Sequence, residues 1–402
     1  LWTASDQLLV ASDRMGYWTP QRWCPGSQQV WESMPLPSGC ECGMPQWVYG
    51  MRTLAACGER LLALACREGA WSLWQRSLKA AGAEPWQEMT LPFCELSALT
   101  ASTSRAVCLA AGVTQPTTLL EIGDAPGQWQ AWERFGASPL PASRVSVPRS
   151  LWVKGGDGHP SQAWFYPPAP DQPRPSPLLV RGHSGPTGMA RTGLSLAYQY
   201  WISRGWAVVD VNYGGSTGFG RAYRERLDGR WGELDVADCA AAVSQLIAAG
   251  EVDPERVAIE GGSAGGFTTL AALIHEPVFK AGVCRYPVCD LASLQQDTHR
   301  FESGYFDRLI GPWPQQQAKY HQRSPLQQKH RLGRPVLFIQ GLQDKVVPPE
   351  QTELMVQALR QRGLSVELIL LEAEAHGFRS GAVQRQVLEA TERFFERVLP
   401  PR

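Results

Sequence analysis

The chain carries no surplus charge of either sign: 38 Lys and Arg balance 38 Asp and Glu. A nucleic-acid binder shows a basic excess or a basic stripe, and neither is present. Long apolar runs are also missing. Stretches such as Leu61–Cys66 fall far short of the roughly 20 residues that cross a bilayer, so no membrane span is expected. No charged segment followed by an apolar one opens the chain, and no signal peptide is expected either. The ten cysteines are scattered, with only Cys40 and Cys42 close together. There is no CxxC pair and no zinc-like Cys/His spacing, so no metal site is expected. Unpaired thiols in this number suit a reducing, cytoplasmic setting.

What is present falls into two compositions that meet near residue 145, so the expected division is 1–144 and 145–402. The first part is rich in Trp, Gly, Pro and Ser. Leu61–Cys66, a turn at Arg67-Glu68-Gly69, and Ala70–Trp74 read as strand, turn, strand. Arg105–Ala111 and Thr117–Ile122 repeat that design one interval later. The spacing fits propeller blades of about 40–45 residues, and an irregular β-sandwich is the alternative. In the second part Leu151–Lys154 and Gln162–Tyr166 flank a glycine turn, and a proline-rich stretch follows. Apolar strands then alternate with helical patterns. Pro177–Val180, Trp206–Val211, Arg256–Glu260, Ala281–Tyr286, Pro335–Gln340 and Ser365–Leu371 read as strands. Gly193–Arg204, Leu234–Ala249, Ala264–His275, Gln351–Arg362 and Ala382–Val398 read as helices. Buried strands alternating with helices imply a mostly parallel, doubly wound sheet. The expected fold class is therefore α/β, an α/β-hydrolase fold, preceded by an all-β, partial propeller region.

The chemistry concentrates at Gly261-Gly262-Ser263-Ala264-Gly265, a G-x-S-x-G between a strand and a helix. A serine on so sharp a turn stands clear of the sheet, and side chains two positions either side would collide across it. The helix behind it aims its N-terminal dipole at a developing oxyanion. A serine hydroxyl needs a base and an orienting carboxylate. Asp344 follows the strand Val336–Gln340 and His376 follows the next, which gives the chain order Ser, acid, His. Both belong at the C-terminal edge of the sheet, where ligand crevices form. Glu372 and Glu374 lie too close in sequence to His376 to be its acid. The N–H of Ala264 is one expected oxyanion donor. The loop Gly182-His183-Ser184-Gly185-Pro186 supplies the second, from Ser184 or Gly185. The glycines of 214–220 match neither a P-loop nor G-x-G-x-x-G. They are expected to form a tight loop beneath the active site.

These segments resemble the prolyl oligopeptidase family of serine peptidases, in the acylaminoacyl-peptidase and dipeptidyl aminopeptidase-like branch. Gly182-His-Ser-Gly-Pro-Thr-Gly188 is similar to its HGGPTG loop. Asp210-Val-Asn-Tyr-Gly-Gly-Ser-Thr-Gly-Phe-Gly-Arg221 is similar to DVNYRGSTGYGR, and Trp231–Asp238 to WG-x-x-DV-x-D. The GGSAGG elbow, Gln340–Pro349 and Glu374-Ala-His-Gly-Phe378 complete the set. The resemblance implies cleavage of short peptides or acylated amino acids, with release of an N-terminal residue, a dipeptide or a blocked residue. It implies no metal or organic cofactor. Ser184 departs from the family's glycine. About 140 residues hold only roughly three blades, where the family has about seven; either the chain is N-terminally truncated, the C-terminal piece of a longer protein, or its gate is incomplete. A partial propeller leaves an open edge that a second copy could pair with. In the polar insert Asp290–Gln328, Phe301, Tyr305, Phe306 and Trp313 either line a substrate pocket or pack a lid. His183, Tyr286, Phe301 and Tyr305 are the candidate substrate contacts. A carboxylesterase using the same triad and a non-catalytic propeller protein are the competing readings.

Overall fold

The computed structural model describes residues 1–3, 7–26, 30–45, 50–79, 84–125, 127–132, 138–298, 302 and 304–401. It divides into two compact units. One comprises Leu1–Val147 together with Arg191–Leu196 and Ser216–Arg224; the other comprises Pro148–Ala190, Ala197–Gly215 and Glu225–Arg402.

The first unit is all β. Its strands are β1 (Leu9–Ser12), β2 (Thr19–Trp23) and β3 (Trp31–Ser33), then β4 (Leu54–Cys57), β5 (Arg60–Arg67), β6 (Ala70–Ser77) and β7 (Gln87–Met89). The last group is β8 (Glu95–Ala101), β9 (Ala106–Ala111), β10 (Thr118–Ile122) and β11 (Trp129–Trp132). They form one three-stranded and two four-stranded antiparallel meanders, the form of propeller blades rather than the facing sheets of a sandwich. Leu61, Ala63 and Ala65 of β5 alternate inward onto Leu9, Met34 and Trp74, and the Trp86 indole N–H donates to the Met34 carbonyl at 3.1 Å.

The second unit is the α/β-hydrolase fold. Its chain runs β12 (Arg149–Lys154), β13 (Pro160–Tyr166), β14 (Ser176–Gly182), α1 (Leu196–Ser203), β15 (Ala207–Asn212), α2 (Arg221–Glu225, all but its last residue grouped with the first unit), α3 (Leu234–Ala248), β16 (Val252–Gly262), α4 (Ala264–His275) and β17 (Ala281–Arg285). The insert helices α5 (Leu291–Asp297), α6 (Tyr305–Leu309) and α7 (Gln317–Arg323) follow. The chain ends with β18 (Val336–Gly341), α8 (Pro349–Gln361), β19 (Val366–Leu371) and α9 (Gly381–Val398). The sheet order is β12-β13-β15-β14-β16-β17-β18-β19. It is antiparallel through β12, β13 and β15 and parallel from β15 onward.

Helices α3, α4 and α8 cover one face and α1 and α9 the other. This explains why strands such as Val336–Gly341 are buried at every position. On α9 the side chains of Val387, Thr391, Phe394 and Phe395 are buried, with Leu388 and Val398 packed beside them. Two expectations shift at their edges. Helix α1 starts at Leu196 rather than Gly193, because Glu95 holds Arg191 at 3.1 Å and the Gly193 N–H at 3.1 Å in a loop. Strand β16 begins at Val252, four residues early, because an irregularity in its pairing lets Val252 reach Ser176. Among the described residues no helix is long and apolar enough to cross a membrane.

Candidate active site

The elbow lies where β16 gives way to α4. Ser263 sits at φ 55°, ψ −122° as the residue before the helix, a strained conformation for a residue with a β-carbon. The flanking glycines are sterically required. A β-carbon on Gly261 would stand 2.2 Å from the Gly265 carbonyl oxygen, and one on Gly265 would stand 2.2 Å from that of Gly182. The second approach brings the root of the 182–188 loop against the first turn of α4. There the Ala264 N–H belongs to the set of helix-start amides that have no intrahelical acceptor.

The acid and base loops are also tied together. The Gln343 N–H donates to the Glu374 carbonyl at 3.0 Å, and a β-carbon on Gly341 would meet that same oxygen at 2.4 Å. Asp344 is buried. Its Oδ1 accepts the N–H groups of Val346 and Val347, both at 2.9 Å, and its Oδ2 lies 2.8 Å from Nδ1 of His376. A carboxylate accepts, so Nδ1 carries the proton and Nε2 keeps a lone pair for base chemistry. The Glu374 carboxylate accepts the Arg379 N–H at 3.2 Å, which occupies it as a loop brace.

Tyr286 lies against both the elbow and the imidazole of His376. The Tyr286 ring lies 4.7 Å from the imidazole and 5.1 Å from Phe378. Its atoms would stand 2.9–3.0 Å from a β-carbon on Gly262. Tyr286 itself has φ 37°. Its N–H donates to Ile339 at 2.8 Å, and the preceding Arg285 carbonyl accepts the Ser263 N–H at 3.0 Å. Among the described residues, Ser263 and His376 make no direct hydrogen bond. Such contacts are often long in unliganded enzymes and tighten around substrate.

The 182–188 loop is braced from three sides. The Ser184 hydroxyl donates to the Gly262 carbonyl, so the departure from glycine ties the loop to the elbow. The Tyr213 hydroxyl donates to the carbonyls of His183, at 3.0 Å, and Pro186, at 2.8 Å. Tyr305 lies 2.7 Å from Thr187 Oγ1 and accepts the Thr187 N–H at 3.2 Å. The His183 ring stacks on Tyr213 at 4.2 Å, and burial pushes its pKa down to about 4. Neither tyrosine brace announces itself in the sequence, because each joins segments far apart in the chain.

The other candidates divide. Phe306 is buried against Trp231, with rings 5.9 Å apart, and Trp313 packs on Tyr320 at 5.1 Å, so both serve packing. Phe301 lies outside the described residues. The 214–220 loop is placed by two different carboxylates. The Gly214 N–H donates to Asp238 at 2.8 Å. Those of Gly218 and Gly220 donate to Glu41 at 2.6 and 3.3 Å. Asp235 is buried beneath α4, accepting from the Thr268 hydroxyl at 2.5 Å and the Gly232 N–H at 2.6 Å. Burial raises its pKa to about 6 against those two hydrogen bonds. Among the described residues no cluster of His, Cys, Asp and Glu is arranged to hold a metal ion.

A serine on a strained strand-to-helix turn, with an Asp–His pair at the C-terminal rim of one parallel sheet, defines a protein of the α/β-hydrolase fold. Its profile match is more specific: the prolyl oligopeptidase family matches residues 192–401, more than half of the chain. The chain belongs to that family. It is similar along its whole length to a crystal structure of puromycin hydrolase, with a TM-score of 0.92 and 34% identity, covering 61% of that chain. It is 32% identical to the acylamino-acid-releasing enzyme of Arabidopsis thaliana over 50% of this chain and 27% of the relative. It is 30% identical to dipeptidyl aminopeptidase BIII of Pseudoxanthomonas mexicana over 56% of this chain and 34% of the relative. The chain thus spans only about a third of the curated relatives it matches.

Proposed function

We propose that the chain carries the catalytic centre of a serine peptidase that hydrolyses short peptides. Ser263 Oγ attacks the scissile carbonyl while His376 Nε2 takes its proton. Asp344 holds the imidazole in the required tautomer. The negative charge on the carbonyl oxygen falls to the N–H of Ala264 and to one from Ser184 or Gly185. His376 then gives its proton to the leaving amine, and water resolves the acyl-enzyme through the same base. The observation that supports this reading is that Tyr286 lies against both the strained Ser263 elbow and the imidazole of the Asp344–His376 pair.

The substrate class rests on kinship. Relatives that release acylated amino acids or dipeptides, and the puromycin hydrolase, support a short peptide or acylated amino acid as substrate. Tyr286 borders both the elbow and the base, and a bound residue would lie against it. All ten cysteines are free thiols, which supports a cytoplasmic setting.

The test is Ser263→Ala with a substrate panel. Turnover of acetyl-aminoacyl, dipeptidyl and free aminoacyl anilides is expected to fall by several orders of magnitude, and fluorophosphonate labelling to vanish. Retained activity in that variant would refute the assignment. Wild-type activity on simple esters but on none of the anilides would instead establish an esterase.

A further inference from the structure

Four charged side chains stand within the last three residues of four adjacent strands: Asp210 on β15, Arg181 on β14, Glu260 on β16 and Arg285 on β17. Because the sheet order is β15-β14-β16-β17, their charges alternate in sign along the row. Each lies two residues past a member of the apolar cluster under α1 and α9, namely Val208, Leu179, Ala258 and Val283. Side chains two apart on a strand share a face, so all four project to one side of the sheet.

The row is closely bonded. Arg181 donates to Glu260 Oε1, and Arg285 Nη2 donates to Oε2 at 2.7 Å, so each carboxylate oxygen has its own guanidinium. The Tyr198 hydroxyl donates to Asp210 at 2.5 Å, and the Arg181 guanidinium lies 5.0 Å from the Tyr198 ring. The Glu260 side chain is fully buried. Burial works to raise its pKa, but the Arg285 and Arg181 charges outweigh that and hold it below the usual range. Arg285 Nε is buried with no partner among the described residues.

Such a row is an expensive way to stabilise a sheet, since aliphatic side chains of the same volume often do as well or better. Its attachments point to another use. Arg181 stands two residues before His183 of the oxyanion loop, and Glu260 stands three before Ser263. Arg285 supplies the carbonyl that accepts the Ser263 N–H and precedes Tyr286, the wall of the imidazole. We propose that Arg181, Glu260 and Arg285 are positioning residues that lock the ends of β14, β16 and β17, so that oxyanion loop, elbow and Tyr286 keep one relative placement. This rests on the serine-peptidase reading above.

The test separates placement from stability. The triple variant Arg181→Met, Glu260→Leu, Arg285→Met, made in an Asp210→Asn background so that no buried carboxylate loses its guanidinium, replaces the row with uncharged side chains. It is expected to unfold within about 3 °C of wild type yet turn over about a hundredfold more slowly. KM should stay within about twofold, with fluorophosphonate labelling of Ser263 slowed in step with kcat. Wild-type kcat and labelling in that variant would overturn the proposal. Should the triple variant not fold, Arg285→Met and Arg285→Lys decide the matter, since both leave Glu260 paired with Arg181. Arg285→Met should lose about tenfold in kcat at constant KM and Arg285→Lys should recover most of it. An Arg285→Met enzyme with normal kcat would overturn the proposal equally. Failure of the peptidase reading looks different, because the wild-type chain itself would then either resist fluorophosphonate or turn over esters but no anilide.

Discussion

Ser184 replaces a glycine that a backbone-only oxyanion loop would use, and its hydroxyl donates to the Gly262 carbonyl one residue before the elbow serine. One such bond contributes about 1 kcal/mol. Ser184→Gly is therefore expected to lower kcat/KM on peptide anilides about fivefold with folding unchanged. An unaltered kcat/KM would show that the bond does not hold the loop. Two neighbouring groups respond to acid in opposite senses. His183 has its pKa pushed down to about 4 from 6.5. The unfolded chain takes up that proton first, so its contribution is intact above 6.5 and is lost as pH falls toward 4. Asp235 has its pKa raised to about 6 from 3.8. The folded chain takes up that proton first, so the penalty of its buried charge is relieved as pH falls through 6. Melting between pH 7.5 and 4.5 should thus show His183→Asn less acid-sensitive than wild type and Asp235→Asn more so. Matching slopes in all three proteins would count against these environments. An asparagine fits at 235, since it can accept from Gly232 while Thr268 turns to the Ala264 carbonyl, already 3.2 Å away. Ser263, Asp344 and His376 could be located from the chain because glycine spacing and strand ends are local signals. Tyr213, Tyr305 and the Asp210–Arg285 row could not, because their partners lie tens of residues away and charge at a strand end reads as solvent-facing.

At the level of elements, the sheet was readable because continuous aliphatic runs need cover on both faces. The lengths of β16 and α1 were not, since each is set by a cross-chain partner, Ser176 for one and Glu95 for the other. The insert was harder still. Its helices α5, α6 and α7 are short, and their aromatic residues face the core rather than forming a periodic stripe. The closest element contact in the site is the start of α4 against the end of β14. Gly265→Ala would place a β-carbon 2.2 Å from the Gly182 oxygen, with backbone on both sides unable to yield. The expected result is a loss of about 1–3 kcal/mol in chemical denaturation, and a larger fall in kcat than in stability, because the displaced pieces are the oxyanion loop and the elbow. A fully active Gly265→Ala protein would mean that the two elements do not need this spacing. Tyr213→Phe tests the same loop from the other side. It strips the shared donor from the carbonyls of His183 and Pro186 and should cost about 1–2 kcal/mol, read as a lower denaturation midpoint, with kcat reduced more than KM is changed.

On the scale of the whole chain, a cut after residue 147 does not separate the two units cleanly, because Arg191–Leu196 and Ser216–Arg224 group with the first unit while their flanks belong to the second. The bonds that order 216–224 come from early residues. Glu41 accepts from Gly218 and Gly220, Asp13 pairs with Arg221 at 2.6 Å and Arg224 at 2.5 Å, and the Arg224 guanidinium lies 4.0 Å from the Trp18 ring. Those partners outweigh the short helix α2, whose five residues are too few to hold themselves helical in water. A chain starting at Pro148 keeps the eight-stranded sheet and all three candidate site residues but loses every one of those contacts. Its amides at 218 and 220 would be hydrated rather than orphaned, so the expected effect is local melting rather than global collapse. Trypsin should then cut the shortened chain early at Arg221 and Arg224, both of which pair with Asp13 in the full chain, while the hydrolase unit resists. Glu41→Ala in the full chain leaves three N–H donors, those of Trp18, Gly218 and Gly220, without their acceptor. At about 1–3 kcal/mol for each unmet buried group, that change draws on much of the roughly 5–15 kcal/mol by which a domain is stable. It should lower the melting temperature more than Glu41→Gln, which retains one accepting oxygen. Equal tryptic patterns for full and shortened chains would show instead that 216–224 is ordered by its own neighbours in the hydrolase unit.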